Sequence, residues 1–203
     1  VPPAAAASRA AALPPRPPRC IGRDAPVEDL VTTLLRDAPP PTPILGPAGT
    51  RRLPLTELYL DDGARHLSLA PGEIVATVRI PNQPAGTRTG YRKARARGAI
   101  DFPLAGIAAQ VAMNGGRLGA LRIALTGTNA RPFLLDGTQA LVGAAVTDEA
   151  LTQLGKLVQK QVSPMRTTVT HSYYRRQVAA VLVQRLVREL VAEPAASARG
   201  TSG

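Results

Sequence analysis

The densest positive charge in the chain lies in YRKARARGAIDFPLAG, residues 91–106, where Arg92, Lys93, Arg95 and Arg97 fall within one short run. A strand over residues 91–97 would sort them. Successive side chains of a strand point to opposite faces, so Tyr91, Lys93, Arg95 and Arg97 would share one face and Arg92, Ala94 and Ala96 the other. The alanines suit a face packed beneath helices. At about 3.3 Å per residue, the cations from Lys93 to Arg97 span roughly 13 Å. Such a row could follow a diphosphate or rim a flat ring system. A solvated strand face has the same spacing, and spacing alone leaves both readings open.

Little else in the chain suggests chemistry. Asp101 suits a turn or an exposed ion pair, which contributes under about 1 kcal/mol, and it has no partner in sight for acid catalysis. His66 and His171 are the only histidines and Cys20 the only cysteine. They form no metal-binding spacing such as H-E-x-x-H or C-x-x-C. His66 reads as a turn residue beside Asp61 and Asp62, and His171 as the start of the last helix. Ser163 and Cys20 have no nearby base. Nucleophile-elbow, P-loop and dinucleotide glycine patterns are missing. The residues alone do not describe a self-sufficient enzyme.

The formal net charge of +11 suggests a polyanionic partner. Yet lysine occurs only at positions 93, 156 and 160. A chain so rich in Ala, Arg, Gly and Pro reads as the product of GC-rich coding, with arginine spread over ordinary surface. Two Phe and four Tyr, none interleaved in the basic strand beyond Tyr91, are poor provision for stacking bases. We therefore expect no nucleic-acid partner. No apolar run approaches bilayer length and no signal peptide is apparent, so no membrane partner is expected either. One cysteine forms no internal disulfide and fits a cytoplasmic protein.

The elements that would position the basic strand follow from periodicity. Residues 1–42 read as a low-complexity or remnant segment, poorly ordered, with a short helix at 27–36 ended by prolines. Residues 43–192 read as one domain and 193–203 as a flexible tail. Two strand-like parts flank the Asp62-Gly63 turn, the first marked by Leu53, Leu55 and Tyr59, the second by Ile74, Ala76, Val78 and Ile80. Two apolar runs around Asn114-Gly115-Gly116 form the clearest hairpin, because those residues accept the positive φ of a tight turn. A helical turn is expected at 136–141. Thr147 would cap a helix with Leu151, Leu154, Val158 and Val162 on its inner stripe. The last helix, about 172–191, would bury Tyr174, Val178, Val181, Leu182, Leu186 and Leu190, with Arg175, Arg176, Arg185 and Arg188 mostly outside. Strands followed by helices predict an α+β sandwich: an antiparallel sheet with helices packed on one face.

Taken in order, RRLPLTELYLDDGARHLSLAPGEIVATVRIP, YRKARARGAIDFPLAGIAAQVAM, GTNARP and SYYRRQVAAVLVQRLV resemble the C-terminal domain of the FAD-binding subunit of the molybdenum hydroxylases. That is the xanthine dehydrogenase and CO dehydrogenase family. Within it, YRKARARGAIDFPLAG is most similar to the β subunit of 4-hydroxybenzoyl-CoA reductase. The resemblance implies the same sandwich, closing one side of a flavin site. It implies an electron-transfer subunit that passes electrons between FAD and the iron–sulfur clusters of a small subunit, with molybdopterin in a large subunit. In the 4-hydroxybenzoyl-CoA reductase branch, electrons run toward the molybdenum and a phenolic hydroxyl is removed. Two cofactor-binding positions carry over, Lys93 as the cation facing the flavin and Val75 as an apolar contact. An acidic FAD contact of the family has only Asp24 and Asp37 to match it. The family's glycine-rich phosphate loops and the branch's four-cysteine loop have no counterpart in these residues. The resemblance thus allows a second expectation, a truncated subunit-docking module that no longer binds FAD.

Overall fold

The computed structural model describes residues 41–80, 82–96, 102–167 and 170–192. The expected helix at 27–36, together with Cys20, Asp24, Asp37, Arg97 and Asp101, lies outside them. At the centre is a four-stranded antiparallel sheet in the order β4-β5-β6-β7: β4 Thr87–Ala94, β5 Ala105–Asn114, β6 Arg117–Thr126 and β7 Phe133–Leu134. A smaller sheet holds β1 Thr42–Gly46, β2 Gly49–Leu53 and β3 Ile74–Val75 in the order β2-β1-β3. The helices are α1 Leu55–Leu58, α2 Asp148–Gln161 and α3 Ser172–Ala192. No helix among the described residues is long and apolar enough to cross a membrane.

Both faces of the central sheet are covered, and the strand sequences show why. In β5, Ala105, Ile107, Ala109 and Val111 join the core formed with α2 and α3, whereas Ala108 joins a second core under the small sheet. In β6, Leu121, Ile123 and Leu125 face the helices and Ala124 the small sheet. A strand buried on both faces reads as a nearly continuous apolar run, and AGIAAQVAM is one, broken only by Gln110. The helices lie on one face, as the sandwich expectation required. The second cover, with Ile44, Leu53, Leu55 and Leu58 at its centre, was not expected.

The hairpin between β5 and β6 turns at Gly115 and Gly116, with φ of 56° and 78°. The first helix of the pair also starts as its sequence dictates. The Thr147 hydroxyl accepts from Ala150 N at 3.2 Å, and Asp148 and Glu149 occupy the first turn, where the helix dipole favours anions. The Glu149 carboxyl is held below its ordinary range by its own backbone N–H and by the Thr147 hydroxyl. Thr147→Ala should cost about 1 kcal/mol, read as a drop of about 2–4 °C in the thermal midpoint. Leu151, Leu154, Val158 and Val162 are buried, as their spacing predicts. The turn expected at 136–141 is a short 3-10 helix, Thr138–Leu141.

Two expectations need correction. The first strand-like part around Asp62-Gly63 is broken: β2 ends at Leu53, Leu55–Leu58 is helical, and only a bridge joins Tyr59 to Leu67. The second part pairs only at Ile74 and Val75. The stripe of α3 is also displaced. Arg175, Ala179, Ala180, Val183, Leu186, Val187 and Leu190 are buried, while Tyr174 and Val181 are exposed. The cause is close approach. A Cβ on Gly90 of β4 would stand 2.8 Å from Leu186 Cδ1, and one on Gly155 of α2 would stand 3.8 Å from the Ala180 methyl. Gly90 makes room for Leu186 and Leu190, and Gly155 for the Gln184 side chain with the Ala180 methyl beyond it, so α3 seats on that side and Val181 is left outward.

Candidate functional site

Strand β4 divides its charges as alternation requires. Arg88 and Arg92 lie on the helix face. One terminal nitrogen of Arg88 donates to the carbonyls of Leu190 and Val191 at 2.8 and 3.0 Å, closing the C-terminus of α3, where cations are favoured. Arg92 pairs with Glu189 of the same helix. These two arginines fasten helix to sheet. Lys93 lies on the opposite face, exposed, and among the described residues no hydrogen bond or ion pair engages it. The strand ends at Ala94, one residue short of Arg95, so the expected run to 97 is shorter than its charge pattern suggested. Arg95 is exposed beside it.

The face carrying Lys93 is shaped by its neighbours. Lys93 pairs across the ladder with Gly106, and Gly106 with Thr126. A Cβ on Gly106 would stand 2.7 Å from Thr126 Cγ2 and 3.0 Å from the Tyr91 hydroxyl. The Tyr91 side chain therefore reaches across Gly106, and its ring belongs to the core under the small sheet. Sequence reasoning put Tyr91 on this face without giving it a task; the glycine opposite Lys93 was the available signal.

Val75 reaches the same side from the other sheet. It pairs with Ile44, is half-buried, and packs on the core that includes Tyr91. Both β3 and β4 are edge strands of their sheets. The turn ahead of Val75 is locked by a pair that the sequence reading missed. Arg51 grips Glu73 with two nitrogens, Nε to Oε1 at 2.7 Å and a terminal nitrogen to Oε2 at 2.8 Å, and also donates to the Ser68 carbonyl at 3.1 Å. Glu73 Oε2 further accepts from Ala70 N at 2.7 Å. The Arg51 guanidinium, then the Ala70 N–H, lower the Glu73 carboxyl from its ordinary 4.5 to about 2. Because this acid is depressed on folding, its contribution is full above about pH 4.5 and is lost as pH falls toward 2. Glu73→Gln should therefore lower the thermal midpoint at neutral pH and flatten its fall over that acid window. Melting curves across the window check this; parallel acid profiles for both proteins would refute it.

Of the other candidates, His66 is exposed in the loop where Leu60 N donates to its carbonyl, and His171 is exposed just before α3. Ser163 is exposed, its backbone N–H donating to Asn129 Oδ1. None joins the face of Lys93 through any described contact. Arg175, expected outside, is buried. Its Nε donates to the Leu104 carbonyl at 3.2 Å, one terminal nitrogen to Met165 at 3.0 Å, and the other to Gly127 and, at 3.5 Å, to Pro103. It thus holds the segment that returns the chain from the basic strand into β5.

Residues 89–190, just over half of the 203, match the CO dehydrogenase flavoprotein C-terminal domain. The chain belongs to that family. Among curated relatives of this flavoprotein domain, the carbon monoxide dehydrogenase medium chain of Afipia carboxidovorans is 29% identical over 145 residues, 71% of this chain and 49% of the relative. The glyceraldehyde dehydrogenase medium chain of Sulfolobus acidocaldarius is 27% identical over 120 residues, 59% of this chain and 42% of the relative. The chain spans about half the length of the curated relatives it matches. Reconstituted CO dehydrogenase from Oligotropha carboxidovorans superposes with a TM-score of 0.71 at 26% identity, over 83% of this chain and 57% of that one. Quinoline 2-oxidoreductase from Pseudomonas putida 86, at 22% identity, shares the fold with a TM-score of 0.68 over 82% of this chain and 56% of that one. The expected α+β sandwich is thus the flavoprotein domain's own architecture.

Proposed function

We propose that this domain is the C-terminal part of an FAD-binding medium-chain subunit in a molybdenum-hydroxylase-type oxidoreductase, and that its β3 and β4 edges wall one side of the flavin. One observation carries the reading: in a flavoprotein family member, Lys93 stands exposed and unengaged among the described residues, while its neighbours Arg88 and Arg92 are tied to α3. The residues fit the group. An isoalloxazine is a flat, largely apolar ring with polar edges. Half-buried Val75 offers apolar surface, the Tyr91 core backs it, and Lys93 offers a cation on the same side. FAD would supply the redox chemistry, and the protein would orient the cofactor and tune it. Lys93 and Val75 bind and position; neither transfers a proton.

Partners follow from the same reading: a molybdopterin-binding large subunit and an iron–sulfur small subunit, in the cytoplasm. The single cysteine among these 203 residues supports placing the clusters on other chains. The finer reading, a 4-hydroxybenzoyl-CoA reductase-like enzyme, rests on YRKARARGAIDFPLAG alone. The test is to purify the complex containing this chain, record its flavin spectrum, and assay reduction of 4-hydroxybenzoyl-CoA beside oxidation of CO and aldehydes. Bound flavin supports the subunit reading. A complete complex without flavin overturns it in favour of a docking module, and activity confined to CO or aldehydes removes the reductase branch.

A further inference from the structure

At the β7 edge of the central sheet, two opposite charges stand face to face without joining. Leu135 N donates to the Ile123 carbonyl at 2.8 Å, and Leu134 pairs with Ala124. One step further along that register, Arg122 of β6 comes opposite Asp136. Opposite charges at facing positions ordinarily attract and pair. Among the described residues no ion pair joins these two. The reason lies in α2. The Gln161 side chain takes both backbone groups of Asp136, its Oε1 accepting from the N–H and its Nε2 donating to the carbonyl, at 2.9 Å each. The chain therefore leaves the sheet at Asp136 and coils into the turn Thr138–Leu141.

The space so opened is a cavity of about 190 Å³ lined by Arg122, Ile123, Leu134, Leu135, Asp136 and Thr138. At about 30 Å³ per water molecule it has room for roughly six, the bulk of one small organic molecule. Ile123 and Leu135 are buried and apolar. Thr138 is 5% exposed, and among the described residues no hydrogen bond engages its hydroxyl. Arg122 is half-buried, and burial lowers its pKa from the ordinary value, a desolvation cost that a bound anion offsets. Arg122 also has an interaction elsewhere, but a guanidinium carries five N–H donors and serves several partners at once. Asp136 is exposed.

A cation and an anion on the walls of one partly apolar cavity select a ligand that carries the complementary pair on an apolar body. We propose that this cavity binds a free α-amino acid with a small apolar side chain. Its carboxylate meets Arg122 and the Thr138 hydroxyl, its ammonium meets Asp136, and its side chain lies on Ile123, Leu134 and Leu135. A peptide terminus brings only one of the two charges and fits less well. The site is separate from the flavin wall. Arg122 lies four residues along β6 from Thr126, which shares a row with Lys93, a separation of roughly 13 Å. The proposal therefore stands whether or not FAD meets Lys93.

The test titrates L-leucine into the complex containing the full chain and follows the heat of binding. Saturable binding with Kd at or below about 1 mM is expected. 4-Methylpentanoate, which lacks the ammonium, and 3-methylbutylamine, which lacks the carboxylate, should each bind at least about tenfold more weakly. Arg122→Gln and Asp136→Asn should each weaken leucine binding by at least the same factor, and Thr138→Val severalfold. Asp136→Asn keeps the size of an exposed side chain, so with the two analogues it decides the matter even if Arg122→Gln fails to fold. No saturable heat up to about 10 mM leucine overturns the proposal. So does an analogue that binds as well as leucine, and so does an Asp136→Asn complex that binds leucine like the parent, which would place the ligand elsewhere.

Discussion

Arg175→Ala should lower the thermal midpoint by about 6–20 °C. The residue is 9% exposed, and its guanidinium serves carbonyls from three loops at once. Removing it leaves the Leu104, Met165 and Gly127 carbonyls without their charged donor. Each buried acceptor so stranded costs about 1–3 kcal/mol, although such costs do not simply add. A total near 3–5 kcal/mol, at the low end of three such costs, is expected because the stranded acceptors are neutral carbonyls. At about 2–4 °C per kcal/mol for a domain of this size, the stated range follows. Arg175→Lys should recover less than half of the loss, because an ammonium lacks the planar fork that reaches several directions. Thermal melts of both variants decide the matter. An alanine variant melting within about 2 °C of the parent would show that the loops are held by something else.

That residue also shows where sequence reading loses its grip. The three cations of β4, Arg88, Arg92 and Lys93, look alike as letters, and period-two alternation separates them into a helix face and an open face. The hairpin and the Thr147 cap were equally legible, because each depends on a few adjacent residues. The last helix was not. Following the stripe of large apolar residues put Tyr174 and Val181 inside and Arg175 outside, since charge is expected at the surface. The structure reverses this because Gly90 admits Leu186 and Leu190 and Gly155 admits Gln184, seating α3 with Ala179 and Ala180 buried, and two alanines carry little hydrophobic signal. Arg175 can be buried only because backbone carbonyls from three loops meet there, a convergence no local window contains.

The candidate site divides the same way. That Lys93 shares a face with Tyr91 could be read from the strand period. That Val75 approaches that side could not. Its strand has two residues, and its position depends on pairing with β1, thirty-one residues earlier, since Ile44 stands opposite Val75. TPILGPAGT has turn residues on both sides of its apolar pair and no clear alternation. A tight hairpin to β2, a long-range pairing to β3, and Arg51 gripping Glu73 together make it a strand.

The alternation in β4 supplies a sharp test of the cofactor reading, because two adjacent cations should behave in opposite ways. Lys93→Ala should weaken FAD retention by the assembled complex roughly tenfold to a hundredfold, the size expected when a hydrogen bond to a charged group is removed. Lys93→Arg should keep most of the affinity, since the charge remains on the same face. Arg92→Ala should leave the flavin in place. Its side chain lies on the other face and pairs with Glu189, so its loss should be felt only as a small fall in thermal midpoint. Dialysis followed by flavin absorption, with melting curves on the same samples, reads both effects. Should Arg92→Ala release flavin as readily as Lys93→Ala, the response would track general loosening of the sheet, and a cofactor facing Lys93 would have no support from the strand. A split between the neighbours would tie the flavin to one face of one edge strand, which no change in overall stability could imitate.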